Sequence, residues 1–187
     1  MRRLDVFMHV SIDGCYADAN GDMSWAHAGS EDAEWQAFVA GNANSDAVLV
    51  FGRKTYELMA GYWATPLARE QNPQVAARMN AASKIVFSRT LQRAEWENTR
   101  PYCDDIVATM KALKAAPGPD LVTLGSGEIV AQFAAAGLID GYQIVVNPIA
   151  LGGGRALFSG LVAPLELRQT STRTFANGKV LLGYAPR

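Results

Sequence analysis

The stretch Ala47-Val48-Leu49-Val50-Phe51-Gly52-Arg53-Lys54-Thr55-Tyr56-Glu57 changes character at its glycine. An apolar run of strand length stops at Gly52, and a helical segment opens directly on two cations. A helix N-terminus carries a partial positive charge, so cations there cost roughly 0.3–1 kcal/mol each, and Asp or Glu is the expected residue. An anion bound at this turn reverses the sign of the problem. Free amide N–H groups, the helix dipole and the side-chain cations then converge on it. Gly52-Arg53-Lys54-Thr55 is therefore a candidate phosphate site in which the Thr55 hydroxyl adds a further donor. The competing reading is a solvated helix start whose cations pair with Glu57 or another acid.

A second turn of the same kind lies downstream. Asp120 to Leu124 reads as a strand, and Gly125-Ser126-Gly127-Glu128 leads into a helix with Ile129, Val130 and Phe133 on one face. Glycines at such a turn allow close approach of a ligand to the backbone, and the nascent helix directs free N–H groups at it. Taken alone, this is a tight turn capped by Ser126, short of a full dinucleotide fingerprint. Together the two turns say more. Both leave carboxyl ends of strands, the edge where open α/β sheets bind ligands, and two anion sites there suit a dinucleotide. Ser88-Arg89-Thr90 follows another strand, Lys84 to Ser88, and either adds a third contact or forms an exposed turn.

The remaining chain fits this frame. Leu4 to Ile12 reads as a first strand, and residues 13–29 as a long loop rich in glycine and aspartate, a length that marks functional or mobile segments. Ser30 is placed to cap a helix carrying the apolar stripe Trp35, Phe38 and Val39. Arg53 to Met59 reads as a short helix ended by Gly61-Tyr62-Trp63, and Pro73 to Ala82 as another. Asp104 or Asp105 caps a helix that Pro117-Gly118-Pro119 ends. Tyr142 to Asn147 is a further strand. The tail alternates over Leu165 to Gln169 and Lys179 to Tyr184, and Asn177-Gly178 between them signals a hairpin. The predicted architecture is α/β: a mostly parallel sheet flanked by helices on both faces, with an antiparallel C-terminal hairpin.

Bulk properties exclude several classes. At 187 residues, 49% apolar and 19% charged, the chain is expected to form one globular domain over residues 1–187. A net charge of −1 supplies no basic field for nucleic acid. No apolar stretch reaches the roughly 18 residues of a membrane span, and Asp5 and His9 interrupt any secretion signal, so a cytoplasmic protein is expected. Cys15 and Cys103 fit reduced thiols, with a single disulfide as the alternative. His9 and His27 with Cys15 lack metal-ligand spacing, so no metal site is expected and His9 reads as an ordinary strand residue.

Gly52-Arg53-Lys54-Thr55-Tyr56 resembles the cofactor motif of dihydrofolate reductases. Ser11-Ile12-Asp13-Gly14 and the run Pro148 to Phe158, with Gly152-Gly153-Gly154-Arg155 inside it, resemble the reductase domain of bacterial riboflavin biosynthesis, which shares that fold. The resemblance spans essentially the whole chain. It implies NADPH as cofactor, with Arg53 on the adenosine 2′-phosphate, Lys54 and Thr55 facing the pyrophosphate, and Ser88 and Arg89 beside the adenosine phosphate. Gly125, Ser126, Gly127 and Glu128 would take the other side of the pyrophosphate. Glu128 departs from expectation, being anionic there, so its side chain should point away. The resemblance places a catalytic acid at Asp32, although an Asp in a first turn is also ordinary helix chemistry. Asp13, at the head of the long loop, is its rival. Trp25 is expected near the substrate, and Arg155 near a phosphate on a ribosyl substrate, unless the one is a core aromatic and the other part of a flexible connection.

The implied activity is hydride transfer from NADPH to C=N or C=O of a pyrimidine or pterin, most similar to 5-amino-6-(5-phosphoribosylamino)uracil reductase. Dihydrofolate reduction, a non-catalytic NADP(H)-binding module and a scaffold with purely structural glycine turns are the alternatives. The resemblance also implies a homodimer, and Phe175, Val180, Leu182 and Tyr184 offer an apolar tail for it.

Overall fold

Strand β1 (Leu4–Val10) alternates buried and half-buried side chains, which puts Leu4, Val6, Met8 and Val10 on one face of a sheet and Asp5, Phe7 and His9 on the other. The structure, a computed structural model, describes residues 1–43, 46–91 and 93–187 and places β1 inside an eight-stranded sheet. In chain order there follow β2 (Cys15–Ala17), α1 (Ala33–Ala43), β3 (Val48–Gly52), α2 (Arg53–Trp63), α3 (Pro66–Gln71), α4 (Pro73–Ala81), β4 (Lys84–Phe87) and β5 (Thr99–Tyr102). Then come α5 (Ile106–Ala115), β6 (Leu121–Leu124), α6 (Gly127–Ala135), β7 (Gly141–Val146), β8 (Arg155–Ala156), β9 (Leu167–Thr174) and β10 (Val180–Pro186).

The sheet order is β5-β4-β3-β6-β1-β7-β10-β9. The pairings from β5 through β7 are parallel, and β10 runs antiparallel to both β7 and β9. Helices cover both faces, as the sequence predicts. Met110 of α5 and Ile129, Val130 and Phe133 of α6 bury the Leu4 face. On the other face, Tyr56 of α2 with Val75 and Met79 of α4 covers Phe51 and Val86. Trp35 of α1 covers Val145, Phe175 and Leu181. Among the described residues no helix is long and apolar enough to cross a membrane.

Local differences from the sequence reading have identifiable causes. The long loop is not structureless: β2 pairs with β8, and a 3₁₀ turn spans Ser24–His27. Asp32, not Ser30, caps α1 by accepting the Trp35 N–H at 2.7 Å. Gly61 lies inside α2, which runs on to Trp63. Asn177-Gly178 does turn the chain, but through a longer loop. Gly178 adopts φ 83° and donates to the Phe175 carbonyl, so the glycine fills the left-handed position after a turn rather than one half of a two-residue turn. Strand β5 carries no strand signal in the sequence because Pro101 lies within it, and a proline is tolerated there because β5 is an edge. The tail is not an exposed apolar edge. Phe175 is buried within its own chain, β10 is an interior strand, and the edge β9 is largely polar.

Buried lysines join the elements. Lys84, 1% exposed, donates to the carbonyls of Asn80, Ala82 and Glu97, tying α4 to β4 and to the segment before β5. Lys114 of α5 donates to the Leu138 carbonyl and to Asp140, while Asp140 also accepts the Leu4 N–H at 2.7 Å. Removing one partner of such a pair strands the other. Lys114→Met is expected to cost about 3 kcal/mol in a urea melt, the low end for breaking a buried pair because Asp140 keeps some contact with water. An unchanged midpoint would show that this junction contributes nothing.

Candidate active site

β3 and β6 are adjacent and parallel, so the turns that leave their carboxyl ends are neighbours in space. They are in direct contact. The Gly52 N–H donates to Ser126 Oγ at 2.7 Å. A Cβ on Gly52 would stand 3.2 Å from that oxygen, a tight contact that the hydroxyl would have to yield to by a few tenths of an ångström. Ser126 itself sits at φ 65°, ψ 62°, a left-handed conformation uncommon outside glycine. Gly125 before it, at φ 88°, lies against Thr55, whose Cγ2 is 3.5 Å from the position of a Cβ there.

Neither α2 nor α6 has a side-chain cap. The first-turn N–H groups of both helices therefore lack the partner that a capping side chain would supply. A groove runs along this edge, lined by Gly52, Arg53, Lys54, Thr55, Ser88, Arg89 and residues 125–128. Tyr16, Met23, Ala26, His27, His9 and Arg155 line the same cavity, which also reaches Asp5, Asp120 and Asp140 at the amino-terminal side of the sheet. Arg53 Nη1 donates to both carboxylate oxygens of Glu57, at 2.9 and 3.0 Å. That exposed pair is worth about 1 kcal/mol or less, so a phosphate can compete for the guanidinium with stronger, bidentate bonds. Ser88 Oγ accepts the N–H groups of Thr90 and Leu91 and shapes the turn after β4. Glu128 turns its carboxylate to Arg155, with 3.6 Å between Oε1 and Nη1.

The structure thus brings the expected cofactor residues and Arg155 to one groove. It does not bring the candidate acids there. Asp32 lies outside the groove lining and spends Oδ1 on the cap of α1. Asp13, also outside it, accepts the N–H groups of Leu151 and Gly152 at 3.1 and 2.8 Å and fastens the glycine-rich loop. Its bonds, the one from Ser11 foremost, hold its carboxyl down at about 2, so it is a fixed anion rather than a proton source. Trp25 donates from Nε1 to the Asp22 carbonyl and is likewise not part of the lining.

Other residues occupy the groove that sequence reasoning passed over. The Tyr16 ring covers Gly127 so closely that a Cβ there would fall 2.3 Å from Cε1. His9, read as an ordinary strand residue, presents its ring to the groove between Phe7 and Trp35, edge-on to both. Burial, reinforced by the nearby Lys179 cation, lowers its pKa to about 4. Its Nδ1 lies 3.4 Å from Asn147 Nδ2, and Asn147 Oδ1 accepts from the buried Lys179 ammonium at 2.8 Å. Sequence offered no signal for this group, whose members come from β1, the end of β7 and the start of β10. Among the described residues no cluster of His, Cys, Asp and Glu could hold a metal ion.

A parallel sheet with an antiparallel tail, helices on both faces and a groove at its carboxyl edge defines a dihydrofolate reductase-like α/β protein. More narrowly, the chain belongs to the RibD C-terminal domain family, whose sequence model matches residues 2–181. That is a family of reductases. Among solved structures the chain is similar to a protein named for riboflavin biosynthesis from Shewanella sp. PV-4, at 23% identity and a TM-score of 0.75, over 99% of each chain. It is similar to a diaminohydroxyphosphoribosylaminopyrimidine deaminase/5-amino-6-(5-phosphoribosylamino)uracil reductase from Thermotoga maritima, at 15% identity and a TM-score of 0.69. That match covers all of this chain and 57% of the other. It is also similar to dihydrofolate reductase from Enterococcus faecalis complexed with NADP(H), at 16% identity and a TM-score of 0.66, over 99% and 96% of the two chains. These likenesses establish the fold.

Two outcomes are expected. Ser126→Ala leaves the Gly52 N–H without its partner and lowers unfolding free energy by about 1 kcal/mol; equal denaturant midpoints would refute the coupling of the turns. His9 has a folded pKa near 4, below the roughly 6.5 of an unfolded histidine. The unfolded chain therefore binds the extra proton between those values, and stability falls as pH drops from about 6.5 toward 4. His9→Phe should flatten that part of the stability–pH curve, and an unchanged slope would place the titration elsewhere.

Proposed function

We propose that this chain is an NADPH-dependent reductase that transfers hydride to C=N or C=O of a pyrimidine- or pterin-type substrate, most similar to 5-amino-6-(5-phosphoribosylamino)uracil reductase. The observation that carries the reading is the contact between two uncapped helix starts through Gly52 and Ser126, with Arg53, Lys54 and Thr55 beside it. Two separate sets of N–H donors on one edge match the two phosphates of a pyrophosphate. The residues fit the cofactor. The α6 N-terminus and Ser126 would hold one side of the pyrophosphate, Lys54 and Thr55 the other, and Arg53, released from Glu57, the 2′-phosphate. Ser88 and Arg89 would flank the adenosine end.

NADPH, when bound, supplies the hydride at its nicotinamide C4. The protein's part is to orient the two rings and exclude water between them. Arg155, on β8 at the substrate end, would hold a ribosyl phosphate in exchange for its exposed pair with Glu128. The positions of Asp32 and Asp13 bear on the alternatives. A dihydrofolate-type mechanism needs a carboxylate facing the substrate ring, and Asp32 is engaged as a helix cap. A second reading, an NADP(H)-binding module without turnover, draws on the same absence of both acids from the groove lining.

Arg53→Ala is expected to weaken NADPH at least tenfold while leaving NADH within about twofold, read by fluorescence titration. Equal effects on both would remove the 2′-phosphate role from Arg53. Loss of NADPH absorbance on addition of 5-amino-6-(5-phosphoribosylamino)uracil or dihydrofolate separates the enzyme from the binding module. Binding of NADPH with no turnover of any pyrimidine or pterin offered would favour the module.

A further inference from the structure

We propose that His9 is the substrate-orienting donor of the groove: a neutral imidazole carrying its proton on Nε2, fixed in that form by Lys179 and Asn147 and offered to an acceptor atom of a heterocyclic substrate. The inference rests on the reductase reading of the groove and assigns the residue at its substrate end.

Lys179 is 1% exposed and donates to the Ala26 carbonyl at 3.1 Å and to Asn147 Oδ1 at 2.8 Å. An ammonium has donors only, so the amide atom facing it must be the oxygen. The orientation of the Asn147 amide is confirmed on its other side, where Nδ2 donates to the carbonyls of Val10 and Val145 at 3.0 and 3.2 Å. The same Nδ2 is the atom 3.4 Å from His9 Nδ1. Nδ2 has two hydrogens: one goes to the Val10 carbonyl and the other is shared between the Val145 carbonyl and Nδ1. An amide nitrogen offers no lone pair, so a proton on Nδ1 would face it without an acceptor; Nδ1 therefore carries the lone pair and the ring proton lies on Nε2.

The Lys179 cation also opposes a second proton on the ring. Lys179 and His27 are the titratable groups that act on His9, and both favour its neutral form. Trp35 and Phe7 meet the ring edge-on and fix its plane. Among the described residues Nε2 makes no hydrogen bond, while the ring lines the groove together with Ala26, Met23 and His27. A donor this carefully oriented and left without an acceptor calls for one on the ligand. A ring nitrogen or exocyclic carbonyl oxygen of a pyrimidine or pterin has that chemistry. Lys179 and Asn147 are positioning residues in this account. His9 is a donor that keeps its proton, not a general acid.

Three measurements test this. A long-range ¹H–¹⁵N spectrum of the uniformly labelled protein at neutral pH should show His9 with a protonated Nε2 and a bare Nδ1. The opposite tautomer, or an imidazolium, would overturn the assignment whether or not the chain is a reductase. With NADPH present, 5-amino-6-(5-phosphoribosylamino)uracil or dihydrofolate should shift the Nε2 resonance; no shift with either overturns the recognition role. His9→Phe should weaken the ligand that causes the shift at least tenfold and leave NADPH within about twofold, with His9→Gln, which keeps an N–H, recovering most of the loss. Equal binding by wild type and His9→Phe would refute the proposal. A failure of NADPH itself to bind would sink the reductase reading without touching the tautomer result.

Discussion

The hydrogen bond from the Gly52 N–H to Ser126 Oγ joins two strand-to-helix turns into one structure. It exists because β3 and β6 are parallel neighbours, because Gly52 has no Cβ, and because Ser126 accepts a left-handed backbone. Each condition carries a cost: parallel pairing needs helical crossovers, glycine loses backbone entropy on folding, and the left-handed serine is strained. What they produce together is a pair of helix N-termini held side by side without caps. The oddity of two cations at a helix start follows. Arg53 and Lys54 are poorly placed for α2 and well placed for an anion.

Elsewhere in the sheet, polar groups are buried where elements must meet. Lys84 satisfies three carbonyls between α4 and the start of β5, and Lys114 with Asp140 closes the same amino-terminal side of the sheet against the Leu4 N–H. Lys179 does the same work between the 3₁₀ turn and the end of β7, and through Asn147 it reaches the groove. The three lysines share one device, an ammonium donating to carbonyl or carboxyl oxygens in places where an apolar side chain would strand them. At Lys179 the device also orients the Asn147 amide that meets the His9 ring, and its cation adds to the burial that keeps that ring neutral.

Local chemistry was legible in the sequence and long-range chemistry was not. The junction at Gly52 could be read because strand, glycine and cations are consecutive, and the Gly125 turn for the same reason. Asp105 was named as a possible cap for α5 and is one, accepting the Ala108 N–H. Asp32 shows the limit: the same residue reads as acid or as cap, and the bond from the Trp35 N–H that makes it a cap appears only in the structure. The apolar tail residues could be seen, but not what each one packs on, because strand order decides it: Phe175 meets Trp35 of α1, while Tyr184 joins the cluster on the other face of the sheet. His9 and Lys179 looked like a strand residue and a hairpin residue. Their relation is made by the pairing of β1 with β7 and of β7 with β10, which no local pattern encodes.

The central claim is that the two turns act as one anion site. Backbone amide shifts on adding NADPH to the ¹⁵N-labelled chain test it most directly. The account predicts that the amides of Arg53, Lys54 and Thr55 and those of Gly127 and Glu128 shift together along one saturation curve. Shifts confined to one turn, or absent from both, would contradict it.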